Sequence, residues 1–469
     1  MLLISGCATA PQRIERPPLA DIAWPDDSRA TQVLVLNRVG FGANPSSLRA
    51  IESFGTGAYL ARQLRPARES RLPAEVQAYI DGMTLSQRSA VDLATELERR
   101  QRAFRSLSPE EAKGERQAYQ QELTRLAREA ASRMLLRALY SPEQLQEEMT
   151  WFWMNHFSVF QLKNNLRVLV GDYEERAIRP HALGRFGELL GAVARHPAML
   201  VYLDNARNAA GQINENYARE LMELHTLGVQ GGYTQADVQE LARVLTGFGV
   251  REGEFRFIAR RHDWGEKMLL GRTIRGRGER ELGEALGLLA AHPSTARFVA
   301  RKLAVHFVAD DPPEALVERL ARAWRQSEGD IAQTLRAMFE SPEFRASLGG
   351  KFKDPLHYLV SAVRYSADEF VIPREGVDRM IGGPALMGQP LYGRPTPDGY
   401  PLTRAAWASP GQLAARFEVA RGVGYRRSSR LPETLAVPLS DATRQALSKA
   451  AHPQEWNLLL LSSPEFMSR

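Results

Sequence analysis

The chain has one cysteine, few lysines and no long apolar run, and each shortage excludes something. With Cys7 alone among 469 residues, no disulfide can form within a monomer, so nothing covalent staples the fold. No stretch reaches the roughly 18 to 20 apolar residues that a membrane-spanning helix needs. Lysines number 7 against 54 arginines, a skew that reads as codon bias. The net charge of +6 is spread thinly, with no basic block interleaved with aromatics, so nucleic acid is not an expected partner. Familiar catalytic signatures are missing as well. Gly-x-Ser-x-Gly and His-Glu-x-x-His do not occur, and Gly276-Arg-Gly278 lacks the third glycine and the preceding strand of a dinucleotide loop.

Cys7 follows Leu3-Ile-Ser-Gly, a pattern similar to the small-residue box ahead of the lipidated cysteine in bacterial lipoproteins. Six residues precede it, too few for a basic region and an apolar region of about 7 to 15 residues, so lipidation requires a start further upstream. The competing reading is a stray thiol. Residues 8 to 30 are rich in Pro, Asp and Arg without periodicity and read as a disordered tether. A lipid on Cys7 would place the protein on the periplasmic side of the envelope, touching the membrane only through that anchor.

What is present is helical patterning, and residues 31–469 are expected to form one large, mainly α domain. The stretch 85–139 has few breakers and reads as a long helical hairpin turning near 106–114. Ser-Pro-Glu at Ser141, Ser341 and Ser463 combines a cap, a first-turn proline and an acid suited to the helix dipole. Thr234-Gln-Ala-Asp237 has the form of a capping box. The β signal lies at 254–271, where Glu254 to Ile258 and Lys267 to Leu270 are expected to pair as a hairpin with His262 and Asp263 at its tip. Residues 382–411, rich in Gly and Pro, read as a long irregular loop carrying Tyr392, Arg394, Asp398, Tyr400 and Trp407.

The densest segment runs from Asn214 to Gly228. Asn214 suits an N-cap and Gly228 a stop, and Tyr217, Leu221 and Leu224 recur at helical spacing as a buried stripe. Asn216, Glu220 and Glu223 share the opposite stripe, the two glutamates about 60° apart around the axis. With His156, His262 and Asp263 they could form an acid/base site, and Glu220, Glu223 and His156 could hold a divalent metal ion. The bland alternative pairs Arg219 with Glu223 and uses the acids to brace neighbouring helices. His156, among the aromatics of Trp151-Phe-Trp-Met-Asn-His-Phe157, is more simply a core histidine bonded to a backbone carbonyl. Asp263 is equally explained by a turn with Gly265.

Several of these segments resemble a bacterial family catalogued as domain of unknown function 1800. They include Leu36-Asn-Arg-Val-Gly-Phe-Gly42, Trp151 to Phe157, Asn214 to Gly232, Tyr233 to Val238, Ala242 to Gly247, His262 to Lys267, His292 to Arg297, Ser341 to Phe344, and Thr396 to Tyr400 with Trp407. The resemblance runs from about residue 32 to the last residue and implies no established activity. Family members often carry histidine where this chain has Leu34 and tryptophan where it has Tyr392, so a reaction needing that histidine would be lost here. The resemblance also implies export and, by association, a co-exported sulfatase-like or alkaline-phosphatase-like partner.

Arg38, Arg219, Tyr392, Asp398, Tyr400 and Trp407 are candidate substrate-binding residues, since guanidinium groups clamp anions and aromatic faces hold sugars or peptides. Arg38, beside Asn37, and Arg297 with Arg301 at i,i+4 could clamp a phosphate or carboxylate; arginines so placed more often bridge helix C-termini. Two functions compete. One is an acid/base or metal-assisted hydrolase of an envelope polymer or peptide, and the other is a non-catalytic maturation factor for the co-exported partner.

Overall fold

The computed structural model describes residues 20–67, 72–367, 370–435 and 438–469, so Cys7 and most of the expected tether lie outside the described residues. The fold is mainly α, with 23 helices and two small antiparallel two-stranded sheets among those residues. One continuous apolar cluster runs from Ile22 to Phe466. Its axis is the helix Pro109–Tyr140, opened by a Ser108/Glu111 capping box. The first half of that helix is mostly exposed, and its second half is buried through Leu123, Leu126, Leu135, Leu136 and Leu139. The segment 85–139 thus holds Ala90–Ala103 and most of Pro109–Tyr140, joined by a turn at 104–108, with Phe104 edge-on to Tyr119.

The Ser-Pro-Glu segments work unequally. Ser341 caps the helix Pro342–Ala346 by accepting from Phe344 N, and Ser463 accepts from Phe466 N in a turn that never becomes a helix. At Ser141 the hydroxyl accepts from Glu143 N, and the helix Gln144–His156 starts one residue later. A fourth copy, Ser108-Pro109-Glu110, carries the full capping box. Thr234 and Asp237 form the expected box ahead of Gln235–Val244.

The strand partners differ from the expected pairing. Strand β1 (Phe248–Arg251) pairs with β2 (Glu254–Phe257), and β3 (Lys267–Leu269) pairs with β4 (Arg272–Ile274). Two tight hairpins therefore replace one, because Glu252-Gly253 and Leu270-Gly271 both adopt the positive φ that a two-residue hairpin turn needs. His262 and Asp263 sit in the connection between the hairpins and not at a tip. The Gly/Pro-rich stretch also begins later than expected. The helix Arg374–Leu386 runs through Gly382, Gly383 and Pro384, since Gly383 lets it approach Leu359, where a Cβ would lie only 2.8 Å away.

Helix ends are tied together by buried guanidinium groups. Arg38 is fully buried and donates to the carbonyls of Phe307 (2.6 Å), Ser347 and Arg469 and to Ser347 Oγ (2.6 Å). Arg364 donates to the carbonyls of Gly42 (2.7 Å), Ala138 and Leu139 and so holds the end of the long helix. Asn37 Oδ1 accepts from Ala43 N (2.9 Å) and closes the glycine turn beside it. Arg38 is therefore closed to any substrate, which corrects its expected role: it stitches helix C-termini. Arg297 and Arg301 are engaged too, with Glu314 and, for Arg297, Glu318 on the neighbouring helix.

Removing Arg38 would take a donor from buried carbonyls of three segments, of which Ser347 O and Arg469 O keep Gly350 N and Lys351 N. We expect Arg38→Ala to cost about 3 kcal/mol or more in denaturant unfolding, with Arg38→Lys recovering only part because an ammonium cannot reach all the acceptors at once. A loss below about 1 kcal/mol would show that the clamp is dispensable.

Candidate functional site

The helix Asn216–Glu223 is set by its flanks. Asn214 Oδ1 accepts from Asn216 N (3.0 Å), and its own amide is fixed by Asn208. At the other end Gly228, at φ 83°, donates to Met222 O (3.1 Å), and Phe298 occupies the space where a Cβ would stand, 2.8 Å away. Tyr217, Ala218, Leu221 and Met222 are buried, while Glu220 and Glu223 are half-buried on the other face and Asn216 is exposed.

The expected Arg219–Glu223 pair does not form. Arg219 turns back to Glu215 (3.0 Å) and to Gln235 (2.9 Å). Glu220 and Glu223 are left with no hydrogen bond or ion pair to any of the described residues. Burial raises the Glu220 carboxyl above the usual carboxylate range, and the neighbouring charge of Glu223 adds to the shift, as does Asp398 more weakly against Arg219.

Asp398 belongs to the 387–403 loop, which Asn155 docks onto this face. Tyr400 N donates to Asn155 Oδ1 (2.6 Å), and Asn155 Nδ2 donates to Tyr400 O (2.9 Å). Gly399 packs directly on the Asn155 carbonyl, where a Cβ would lie 2.2 Å away at a φ of +75°. Tyr202, from beneath, donates to Pro395 O (2.8 Å). Asp398 itself is gripped by Arg394 through both oxygens (3.0 and 2.8 Å). Against the burial that would raise it, Arg394 and Thr396 hold its carboxyl below the ordinary range. The loop's other aromatics pack inward. Tyr392 is buried against Glu174, Trp407 is buried with its indole on Pro401 O, and Tyr400 spends its hydroxyl on Pro390 O. Of the six expected substrate-binding residues, Asp398 and Tyr400 lie in the loop docked near Glu220, and Arg219 lies on the helix itself. Arg38, Tyr392 and Trp407 are withdrawn into the core by their hydrogen bonds and burial.

Lysine 302 is a residue the sequence did not flag. Lys163, Lys267, Lys351 and Lys353 each bond a carbonyl or carboxylate, and Lys113 and Lys449 are exposed. Lys302 is partly enclosed, its amine 5.5 Å over the Phe298 ring and without a hydrogen-bond partner among the described residues. Burial pushes it down to about 8, against the pull of Asp398. Its rarity as a lysine in an arginine-rich chain was the one available signal.

The histidines expected here go elsewhere. His156 Nε2 bonds His225 O (3.0 Å) in the core, so Glu220, Glu223 and His156 do not form a ligand set. His262 is buried between Thr246 O (2.8 Å) and Glu281 (3.0 Å), which Lys267 also bonds, so it fills a core after all. Asp263 is held by Arg243 (2.8 and 3.1 Å), which pulls its carboxyl down to about 2 and removes it as a base.

Among the described residues, the group of three or more His, Cys, Asp or Glu side chains with ligand atoms all within 4.8 Å of one another is Glu148, His306 and His357, all buried. His306 Nε2 is 2.6 Å from Glu148 Oε1 and His357 Nε2 is 2.6 Å from Oε2. Asp354 Oδ1 stands 2.9 Å from His357 Nδ1, and Arg469 Nη1 is 2.6 Å from Glu148 Oε1. Burial pushes His306 down to about 4. His357 moves up despite burial and Arg469, because Asp354 and Glu148 flank it.

The Glu220 shift has a stability consequence. With its folded pKa above its unfolded one, the native state binds more protons between those values, so stability falls as pH rises through that window and stays lower above it. Glu220→Gln should therefore gain stability relative to the parent on going from about pH 4 to about pH 7, read as the difference in thermal midpoint. Glu223→Gln should move the Glu220 carboxyl resonance toward the ordinary range in an NMR titration. A pH-independent difference between Glu220→Gln and the parent contradicts the shift.

No curated protein matches the chain, and no solved structure does. A family model described as "Protein of unknown function (DUF1800)" matches residues 34–468, nearly the whole chain. The helix face, the docked loop and the core histidines all fall within that span, and the chain belongs to the DUF1800 family.

Proposed function

We propose that the protein is an acid/base hydrolase whose reacting groups are Glu220 and Glu223. The observation that carries the reading is a pair of half-buried carboxylates, three residues apart on one helix, that no arginine neutralises in a chain containing 54 of them. Glu220, whose carboxyl burial and the Glu223 charge raise above the usual carboxylate range, suits the role of general acid. It would give its proton to the leaving group while Glu223 accepts a proton from the attacking water. Lys302 supplies a positive charge near Asp398, and the loop fixed by Asn155 forms one wall. Because His156 does not join the two glutamates, the geometry favours proton transfer over a metal at this face.

The substrate class in this reading is an envelope polymer or peptide, reached by an exported protein anchored through Cys7 on the periplasmic side. Incubation with peptidoglycan, envelope polysaccharides and peptide libraries should give cleavage that Glu220→Gln and Glu223→Gln each reduce about 100-fold or more without loss of folding. Equal turnover in the parent and both variants ends the reading. In cells, Cys7→Ser should shift the protein from the membrane to the soluble fraction, and an unchanged distribution ends the anchor.

Ile213, in the segment before the same helix, and Val229, beyond the Gly228 turn after it, are exposed and favour a second reading, in which this region docks the co-exported sulfatase-like or alkaline-phosphatase-like protein. That reading calls for a pull-down from envelope extract in which Val229→Glu abolishes recovery of the partner.

A further inference from the structure

We propose that Glu148, His306 and His357 form a closed structural site for a divalent transition-metal ion of the zinc class, separate from the Glu220 face. The three ligands come from three helices far apart in sequence, Gln144–His156, Pro293–Phe307 and Pro355–Ala367. Both imidazoles present the same nitrogen, Nε2, to the two oxygens of one carboxylate, each at 2.6 Å. One ligand atom from each of three buried side chains thus lies within 4.8 Å of the others, two imidazole nitrogens and a carboxylate oxygen, a set that suits zinc, iron(II), cobalt or manganese better than calcium or magnesium.

Two further features fit an ion better than an ion-pair network alone. The first lies behind His357, where Asp354 Oδ1 stands 2.9 Å from Nδ1 as a close ionic contact outside hydrogen-bond geometry, so that a carboxylate occupies the position from which an imidazole is supported in metal sites. The second is the surplus of partners at Glu148. One carboxylate needs one counter-charge, yet this one meets two imidazoles and the Arg469 guanidinium in a sealed core, where each extra ionisable group is costly to desolvate. Arg469 is compatible with an ion at Glu148, because a carboxylate oxygen has room for a ligand bond and a hydrogen bond together, but its Nη2, on His306 O (3.2 Å), also lies 3.4 Å from His306 Nε2, so the guanidinium must shift for that nitrogen to bind the ion. An ion about 2.0 to 2.2 Å from each donor holds neighbouring donors about 3 Å apart, so the three side chains need open only by a few tenths of an ångström.

The ion would lock three helices around one point in a chain without a disulfide. The sequence did not show this site, since its ligands carry none of the short spacings by which metal motifs are recognised.

The test is metal analysis of the full-length protein purified from cells grown with added zinc, iron, cobalt or manganese. The result expected is about one ion per chain, with a cobalt-loaded sample showing the visible absorption of a low-coordinate nitrogen and oxygen site. His306→Ala and His357→Ala should lose the ion. Because those variants can fail to fold, Asp354→Asn provides the second measurement, retaining the fold and weakening affinity about 10- to 100-fold in chelator competition. Chelation should lower the thermal midpoint of the parent and leave Asp354→Asn less affected. Protein free of metal after growth with every ion overturns the proposal, as does an ion that folded His306→Ala or His357→Ala retains.

Discussion

The fold depends on bonds from buried guanidinium groups to the carbonyl ends of helices. A fold of 23 helices has many carbonyl termini, and each one buried without a donor is costly. Arg38 satisfies carbonyls from three segments at once, and Arg364 does the same where the long helix meets the first glycine turn. The planar guanidinium suits this work because its donors fan out toward several acceptors. Arg38 donates to the Arg469 carbonyl, Arg469 bonds Glu148, and Glu148 bonds two histidines, so one polar chain crosses the apolar cluster from the first helix to the last residue.

This use of arginine explains why the Glu220 face stands out. Acids elsewhere on the surface mostly meet a guanidinium, as Glu314 and Glu240 do. Arg219 is the basic residue placed to neutralise Glu223, but Glu215 and Gln235 both draw it toward the start of the helix. The result is a local imbalance: two carboxylates three residues apart, partly desolvated, whose mutual repulsion is relieved when one keeps its proton.

Local chemistry was legible in the sequence and long-range partnership was not. The Thr234–Asp237 box and the Ser341 cap follow from backbone donors a few residues away. The burial of Tyr217 and Leu221 follows from spacing, but the helix runs only from Asn216 to Glu223, short of the expected Gly228 stop, and Glu215 stands at the N-cap in place of Asn214. The hairpins failed for a reason of the same kind: Glu252-Gly253 and Leu270-Gly271 are turn pairs, and their positive φ outweighed the longer-range match of two apolar runs. The candidate site was half visible. Periodicity places Glu220 and Glu223 on one face, but nothing local says that Asn155 carries the Asp398 loop there, that Lys302 lies nearby, or that His262 turns inward to Glu281. His156 and Arg38 follow the plainer readings, a core histidine on a backbone carbonyl and an arginine bridging helix ends, although their dense motifs also suggested chemistry.

The two polar centres are mechanically joined. The helix Gln144–His156 carries Glu148 in the sealed cluster and, about 10 Å further along its axis, Asn155 under the Asp398 loop. The helix Pro293–Phe307 carries His306 in the cluster and Lys302 about one turn earlier. Fixing Glu148 to His306 therefore sets the register of the helix that carries Asn155 under the loop and of the helix that carries the amine near Asp398. In the proposed reading a site of two carboxylates needs that rigidity, because proton transfer requires donor and acceptor within hydrogen-bonding distance, and a loop alone would not hold it. The sealed cluster thus fixes the frame around the two half-buried carboxylates.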